Sequence, residues 1–157
     1  GVGVQRWYRI NALCPLGQRV YHLNGGVQMG AKEKAMALRA QGFNCAQCVL
    51  GALGDYTGLD EKTALAISAG FGGGARCGEL CGTVSGAAMA FGMAHPWKDP
   101  EDAAAKAGVS KLTMAFAKEF GETFGCMRCF DLKRGGHPCN ELIFWAAEHA
   151  EEVLKNN

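Results

Sequence analysis

The residues of this chain best suited to chemistry are its eight cysteines, because six of them fall in three closely spaced pairs. The pairs are Cys45 with Cys48, Cys77 with Cys81, and Cys126 with Cys129, while Cys14 and Cys139 stand alone. Thiols one helical turn apart can bind a soft metal or act as a redox couple. We expect free thiols, metal ligands or transient redox couples here, with one or two of the cysteines only filling space in the core.

Structural disulfides are not expected. A chain of 157 residues with 48% hydrophobic residues can bury a core without cross-links. The segment 1–28 has no charged region followed by an apolar run, so it does not resemble a signal peptide. We therefore predict a cytoplasmic location, where the reducing environment disfavours disulfides.

Several of the cysteines are predicted to lie at helix starts. Cys45 follows a residue suited to N-capping, Cys77 is predicted to begin a helix beside Arg76, and Cys139 begins the last helix. The positive end of a helix favours the thiolate form of cysteine, which is the nucleophile. Cys81 is predicted one turn further along, on the same face as Cys77. Cys45 and Cys81 are therefore the candidate catalytic thiols.

The elements that must position these thiols are predicted to be helices. N-capping residues are predicted at Asn44 and Asp60, and Asp99 with Pro100 is predicted to start a long helix. The predicted helices cover residues 31–42, 45–58, 61–70, 77–94, 101–124 and 139–156. We therefore predict an all-α, single-domain bundle of five or six helices over residues 29–157, preceded by an extension or arm over residues 1–28.

A glycine-rich stretch, "GFGGGA", lies before the second cysteine pair. It is either a plain turn between helices or an anion-binding loop in which the backbone N–H groups of Gly73 and Gly74, with Arg76, face a charged cofactor or ligand.

Small residues follow the same cysteine pair at a helical spacing. Gly82, Gly86 and Ala90 recur every four residues, so they lie on one face of the predicted helix. We expect another backbone to approach this face closely.

Three motifs together resemble those of the C_GCAxxG_C_C family of redox-active proteins. They are "GFNCAQCVL", "CGTVSG" and "FGCMRCFDL", followed by a last cysteine before the final helix. Thr83 stands where the family usually has alanine, which is a mild departure. The resemblance implies that Cys48, Cys77 and Cys126 are additional cysteines, and that the four shared ones bind an iron–sulfur cluster or another metal. The four shared cysteines are Cys45, Cys81, Cys129 and Cys139.

These residues are compatible with two main classes of function. A third class is compatible with them but less favoured. Four thiolates suit an iron–sulfur cluster or a tetrahedral zinc ion, which predicts a redox-active metalloprotein. Without a metal, a thiol of lowered pKa such as Cys45 or Cys81 would attack a disulfide or a peroxide while a neighbouring thiol resolves the product. The third class is a metal-stabilised interaction module.

Charge and hydropathy narrow the expected partners. The net charge is +1 and the longest basic run is two residues, so nucleic acid is not an expected partner. No stretch is long and apolar enough for a membrane span. A redox partner protein or a small-molecule substrate is expected, and a homo-oligomer is compatible with the sequence.

Overall fold

The computed structural model describes residues 20–23 and 26–157, and the chain divides into two compact units, Gly1–Gly30 and Ala31–Asn157. In the first unit, strands β1 (Val20–Leu23) and β2 (Gly26–Met29) pair antiparallel, with Val20 opposite Met29. Sequence analysis did not predict this hairpin, although Asn24 and Gly25 form a dipeptide typical of hairpin turns. Cys14 lies outside the described residues.

The second unit is all-α, as predicted. The described residues contain six helices of eight or more residues and two short ones. The longer helices are α1 (Ala31–Ala40), α2 (Cys45–Ala52), α4 (Glu61–Ser68), α5 (Gly82–Ala94), α6 (Ala103–Phe124) and α8 (Cys139–Lys155). The short helices are α3 (Gly54–Thr57) and α7 (Cys129–Arg134).

Two predicted helix starts are confirmed by their capping hydrogen bonds. Asn44 and Gln47 form a capping box, in which each side chain accepts from the other's backbone N–H at 3.1 Å. The Asp60 side chain accepts from the amide of Thr63 at 3.0 Å. The predicted helix 45–58 is split into α2 and α3, and it ends at Gly58 in the left-handed conformation.

The predicted helix 77–94 begins later than expected. Gly78 has a positive φ of 78°, and the ψ angles of Glu79 and Cys81 are −134° and 130°, so these residues cannot continue a right-handed helix. The helix α5 therefore starts at Gly82, after a tight turn over residues 74–78. Consequently the two cysteines at 77 and 81 do not share a helical face, which corrects the prediction.

The start of α6 also differs from the prediction. The side chain of Asp99 accepts from the amide of Glu101 at 3.0 Å and so stabilises a turn. The N-cap is Asp102, whose side chain accepts from the amide of Ala105 at 2.9 Å. Both aspartates can cap, and the local sequence did not distinguish them.

We expected another backbone to approach the small residues of α5 closely. The structure shows this approach, and the neighbouring backbone is that of α2. A Cβ atom at Gly86 would lie 2.9 Å from the carbonyl oxygen of Ala46 and 3.2 Å from the Cβ of Val49. Ala90 is fully buried on the same face. A larger residue at position 86 would push the two helices apart, so glycine here holds the starts of α2 and α5 together.

An aromatic cluster forms the other part of the core. Phe91, Phe116 and Phe120 are almost completely buried, and the rings of Phe116 and Phe120 each lie 5.6 Å from that of Trp145. The ring of Phe91 lies 5.5 Å from that of Phe116, so these contacts join α5, α6 and α8. Among the described residues, no helix is both long enough and apolar enough to cross a lipid bilayer.

Candidate cysteine site

Four cysteines from four different helix starts line a single cavity of about 230 Å³. Cys45 is the first residue of α2, Cys81 is the N-cap of α5, Cys129 is the first residue of α7, and Cys139 is the first residue of α8. These are the four cysteines selected by the family resemblance. The fold brings them together although they are far apart in the sequence.

A short backbone bridge holds two of these cysteines beside each other. The amide of Cys81 donates to the carbonyl of Met127 at 2.8 Å, and the amide of Cys129 donates to the carbonyl of Glu79 at 2.6 Å. The two bonds flank an isolated antiparallel β-bridge, which pairs the residue directly before Cys81 with the residue directly before Cys129. The irregular segment before α7 is thereby fixed against the segment before α5.

A side-chain ion pair supports the same bridge from outside. The guanidinium of Arg128 donates to both carboxylate oxygens of Glu79, from Nε at 3.2 Å and from Nη2 at 3.1 Å. The hydrogen bonds and charge of Glu79 raise the pKa of Arg128. Because both side chains are about half exposed, we expect this pair to add little to the stability of the fold.

Two glycines leave room for the cysteines. A Cβ atom at Gly82 would lie 2.6 Å from the Sγ of Cys45. A Cβ atom at Gly74 would lie 2.8 Å from the Cβ of Cys129 and closer still to the backbone of Glu79. Glycine is therefore required at positions 74 and 82 by close packing against Cys129, Glu79 and Cys45.

The prediction that Cys81 has a lowered pKa is wrong. Its side chain is 4% exposed, and burial raises the pKa of the thiol to about 11, although a contact with the Thr83 hydroxyl at 3.1 Å opposes this. Burial likewise raises the pKa of Cys129, against the opposing charge of Lys133. Desolvation of the thiolate outweighs the favourable position of Cys81 at a helix start.

Three basic side chains share the cavity with the thiols. They belong to Arg39, Arg76 and Lys133, and none of the described residues that line the cavity is acidic. Gly73 of the glycine-rich loop also lines it, whereas Gly74 is buried behind Cys129. The cavity therefore combines soft sulfur ligands with positive charge.

Sequence analysis missed two of these basic residues. Arg39 lies among alternating charges on α1, and Lys133 lies in the predicted irregular segment that forms α7. Both have the sequence context of solvated surface residues, so only the packing of α1 and α7 around the cavity identifies them.

The three additional cysteines do not line the cavity. Cys48 is fully buried in the core, where its thiol donates to the carbonyl of Phe43 at 3.5 Å. Cys77 is exposed, and its thiol donates to the carbonyl of Gly74 at 3.3 Å. Cys126 is partly buried. All seven cysteines in the described part of the chain are free thiols.

The comparison with known families gives a match, which covers most of the helical unit. The family model described as "Putative redox-active protein (C_GCAxxG_C_C)" matches residues 43–153. The chain belongs to the C_GCAxxG_C_C family. The matched region of this C_GCAxxG_C_C protein contains all four cavity cysteines, and Arg39 lies just before it. No curated protein and no solved structure shows significant similarity to the chain.

Within residues 20–23 and 26–157, no group of three or more histidine, cysteine, aspartate or glutamate side chains is placed so that it could hold a metal ion.

Proposed function

We propose that this C_GCAxxG_C_C protein is an electron-transfer or redox protein whose centre is an iron–sulfur cluster ligated by Cys45, Cys81, Cys129 and Cys139. The observation that supports this most is the convergence of the four cysteines on one cavity. The family description supports redox activity in general, without specifying the centre.

The redox activity named in the family description favours an iron–sulfur cluster over zinc, which has no redox chemistry of its own. One ion bound at about 2.3 Å by four thiolates would need its sulfur ligands within about 4 Å of one another. A cluster carries its own iron and sulfide between the thiolates, so it suits a wider arrangement of ligands. When bound, it would supply one-electron transfer.

The surrounding residues have two roles in this proposal. The positive charges of Arg39, Arg76 and Lys133 offset the negative charge of four thiolates, which lowers the cost of bringing them together. The bridge before α5 and α7 orients Cys81 and Cys129 before any ligand binds, so less ordering is required on binding.

The test is anaerobic purification followed by measurement of iron and acid-labile sulfide per chain, together with a visible absorption spectrum. We expect stoichiometric iron and sulfide and a sulfur-to-iron charge-transfer band. Serine substitution at each cavity cysteine should lower the iron content, because the serine hydroxyl stays protonated at neutral pH and is a poor soft-metal ligand. The matched controls Cys77→Ser and Cys126→Ser should keep the wild-type iron content.

Two results would contradict the proposal. One is zinc in place of iron and sulfide in the anaerobic protein. The other is an equal loss of iron in the control variants, which would show that the four cavity cysteines are the wrong set.

A second candidate, a metal-free thiol oxidoreductase, is favoured by the position of Cys81 beside Cys129. Here the two thiols would be oxidised to a disulfide, with two electrons and two protons passing to a disulfide or peroxide acceptor. It predicts a Cys81–Cys129 disulfide after mild oxidation of the metal-free protein, detected by peptide mass spectrometry. Stoichiometric iron together with the absence of this disulfide would exclude it.

A further inference from the structure

The cationic side chains that line the cavity form few hydrogen bonds with the rest of the protein. Arg39 is held in place by its neighbours, because its Nε donates to the side-chain oxygen of Asn140 at 3.0 Å and its Nη1 donates to the carbonyl of Phe43 at 3.1 Å. These bonds leave the remaining guanidinium donors available on a fixed group. Such a group presents its donors with little loss of conformational entropy on binding.

The other two cations of the cavity have no such partners. The side chains of Arg76 and Lys133 form no hydrogen bond or ion pair with another described residue. By contrast, the nearby Arg128 is paired with Glu79 and Asp131. Positive charge is therefore concentrated at a cavity whose described lining contains no carboxylate to neutralise it.

We propose that the cavity binds a small inorganic oxyanion beside the cysteines, held by Arg39, Arg76 and Lys133. This inference builds on the proposed function, since it assigns a ligand class to the same cavity. Guanidinium groups match the planar pairs of oxygens on such anions, and a lysine adds a compact point charge. The volume of about 230 Å³ suits a small ion rather than a nucleotide or a peptide.

The alternative is that these positive charges only offset the negative charge of the thiolates at the metal centre. The two explanations differ for the metal-free protein with reduced thiols. If the cations form an oxyanion site, this form should still bind an anion. If the cations only balance the charge of a cluster, the metal-free protein should have no saturable affinity for an anion.

Inorganic phosphate is a suitable probe, because it is not reduced by thiols. The full chain, reduced and metal-free, should bind phosphate with one site per chain in a calorimetric titration. Arg76→Gln and Lys133→Gln should each raise Kd by about tenfold or more, since each removes a charged hydrogen-bond donor. Rising sodium chloride should weaken the binding, because salt screens exposed charges.

Matched controls are available for both variants. Arg134, on α7 but outside the cavity lining, packs over the ring of Phe130, and Lys118 pairs with Glu122 on α6. Arg134→Gln and Lys118→Gln should leave the Kd for phosphate unchanged. Circular dichroism of each variant checks that it is folded, and Lys133→Gln, at an exposed position, provides the test if Arg76→Gln does not fold.

The results separate this inference from the proposed function. No saturable phosphate binding, or equal weakening in the control variants, would overturn the oxyanion site, whatever the iron content. If phosphate binds as expected but the wild-type chain holds no iron under anaerobic conditions, the iron–sulfur proposal is wrong and the oxyanion site stands.

Discussion

A Cβ atom at Gly82 would lie 2.6 Å from the Sγ of Cys45, so the first residue of α5 must be glycine for the first residue of α2 to keep its thiol in place. The same Cβ would also lie 2.8 Å from the carbonyl oxygen of Phe71. The position of Cys45 in the cavity therefore depends on the absence of a side chain on a neighbouring helix.

We predict that Gly82→Ala displaces the Cys45 thiol and reduces the iron content of the anaerobic protein. The overpacking should also lower the free energy of unfolding by about 1 to 3 kcal/mol. Gly92 is a matched control on α5, because a Cβ there meets no atom within 4 Å. Gly92→Ala should keep the iron content and stabilise the helix by up to about 1 kcal/mol, measured by urea unfolding. Equal iron contents in the two variants would argue against the steric explanation.

A second glycine pair separates backbone strain from steric clash. Gly73 and Gly74 both have φ of 63°, but a Cβ at Gly73 meets no atom within 4 Å, whereas one at Gly74 would lie 2.8 Å from the Cβ of Cys129. Gly73→Ala should cost about 1 to 2 kcal/mol for the left-handed conformation alone. Gly74→Ala should cost at least about 1 kcal/mol more, because overpacking adds to the strain. Thermal and urea unfolding of both variants would check the difference, and similar losses would contradict it.

The buried thiol of Cys48 should make stability depend on alkaline pH. Burial raises its pKa from 9.0 to about 11, so the folded state holds the proton more tightly than the unfolded state. The unfolded chain releases this proton first, so the free energy of unfolding should fall as pH rises from about 9 to about 11. Two pKa units correspond to about 3 kcal/mol.

The measurement for this prediction is urea unfolding at a series of pH values from 8 to 10.5. Cys48→Ala should be less stable at pH 8, because it leaves a small cavity in the core, yet its stability should fall less steeply with pH. If the free energy of unfolding of this variant falls with pH as steeply as that of the wild type, Cys48 does not contribute to the pH dependence. Cys81, with a similarly raised pKa, should account for part of the remaining slope.

The ion pair of Arg128 with Glu79 should contribute little to stability. Both side chains are about half exposed, so a double-mutant cycle with Arg128→Gln and Glu79→Gln should give a coupling energy of no more than about 1 kcal/mol. The coupling should decrease in high salt. We expect the backbone bridge beside the pair to survive and the iron content to remain unchanged, since the bridging bonds come from main-chain groups. A large loss of iron in either single variant would show that the pair positions the cysteines.

Much of the fold follows from local signals in the sequence. Asn44 and Asp60 cap helices because a short polar side chain can accept from the amide three residues later, whatever surrounds it. Helical periodicity similarly predicted the all-α class. The family pattern selected the four cysteines that line the cavity, from eight in the chain. Each of these signals is contained within a few residues or in a recognisable motif.

The tertiary structure decided the features that depend on distant parts of the chain. Arg39 and Lys133 line the cavity only because α1 and α7 pack around it, and nothing in their local sequences distinguishes them from surface charges. The raised pKa of Cys81 arises from burial by other elements, which outweighs the local effect of its helix start. The start of α5 moved to Gly82 because Gly78, Glu79 and Cys81 have backbone angles outside the right-handed helical region. Helix caps act over one turn, whereas desolvation and charge act through space, so only the folded chain determines them.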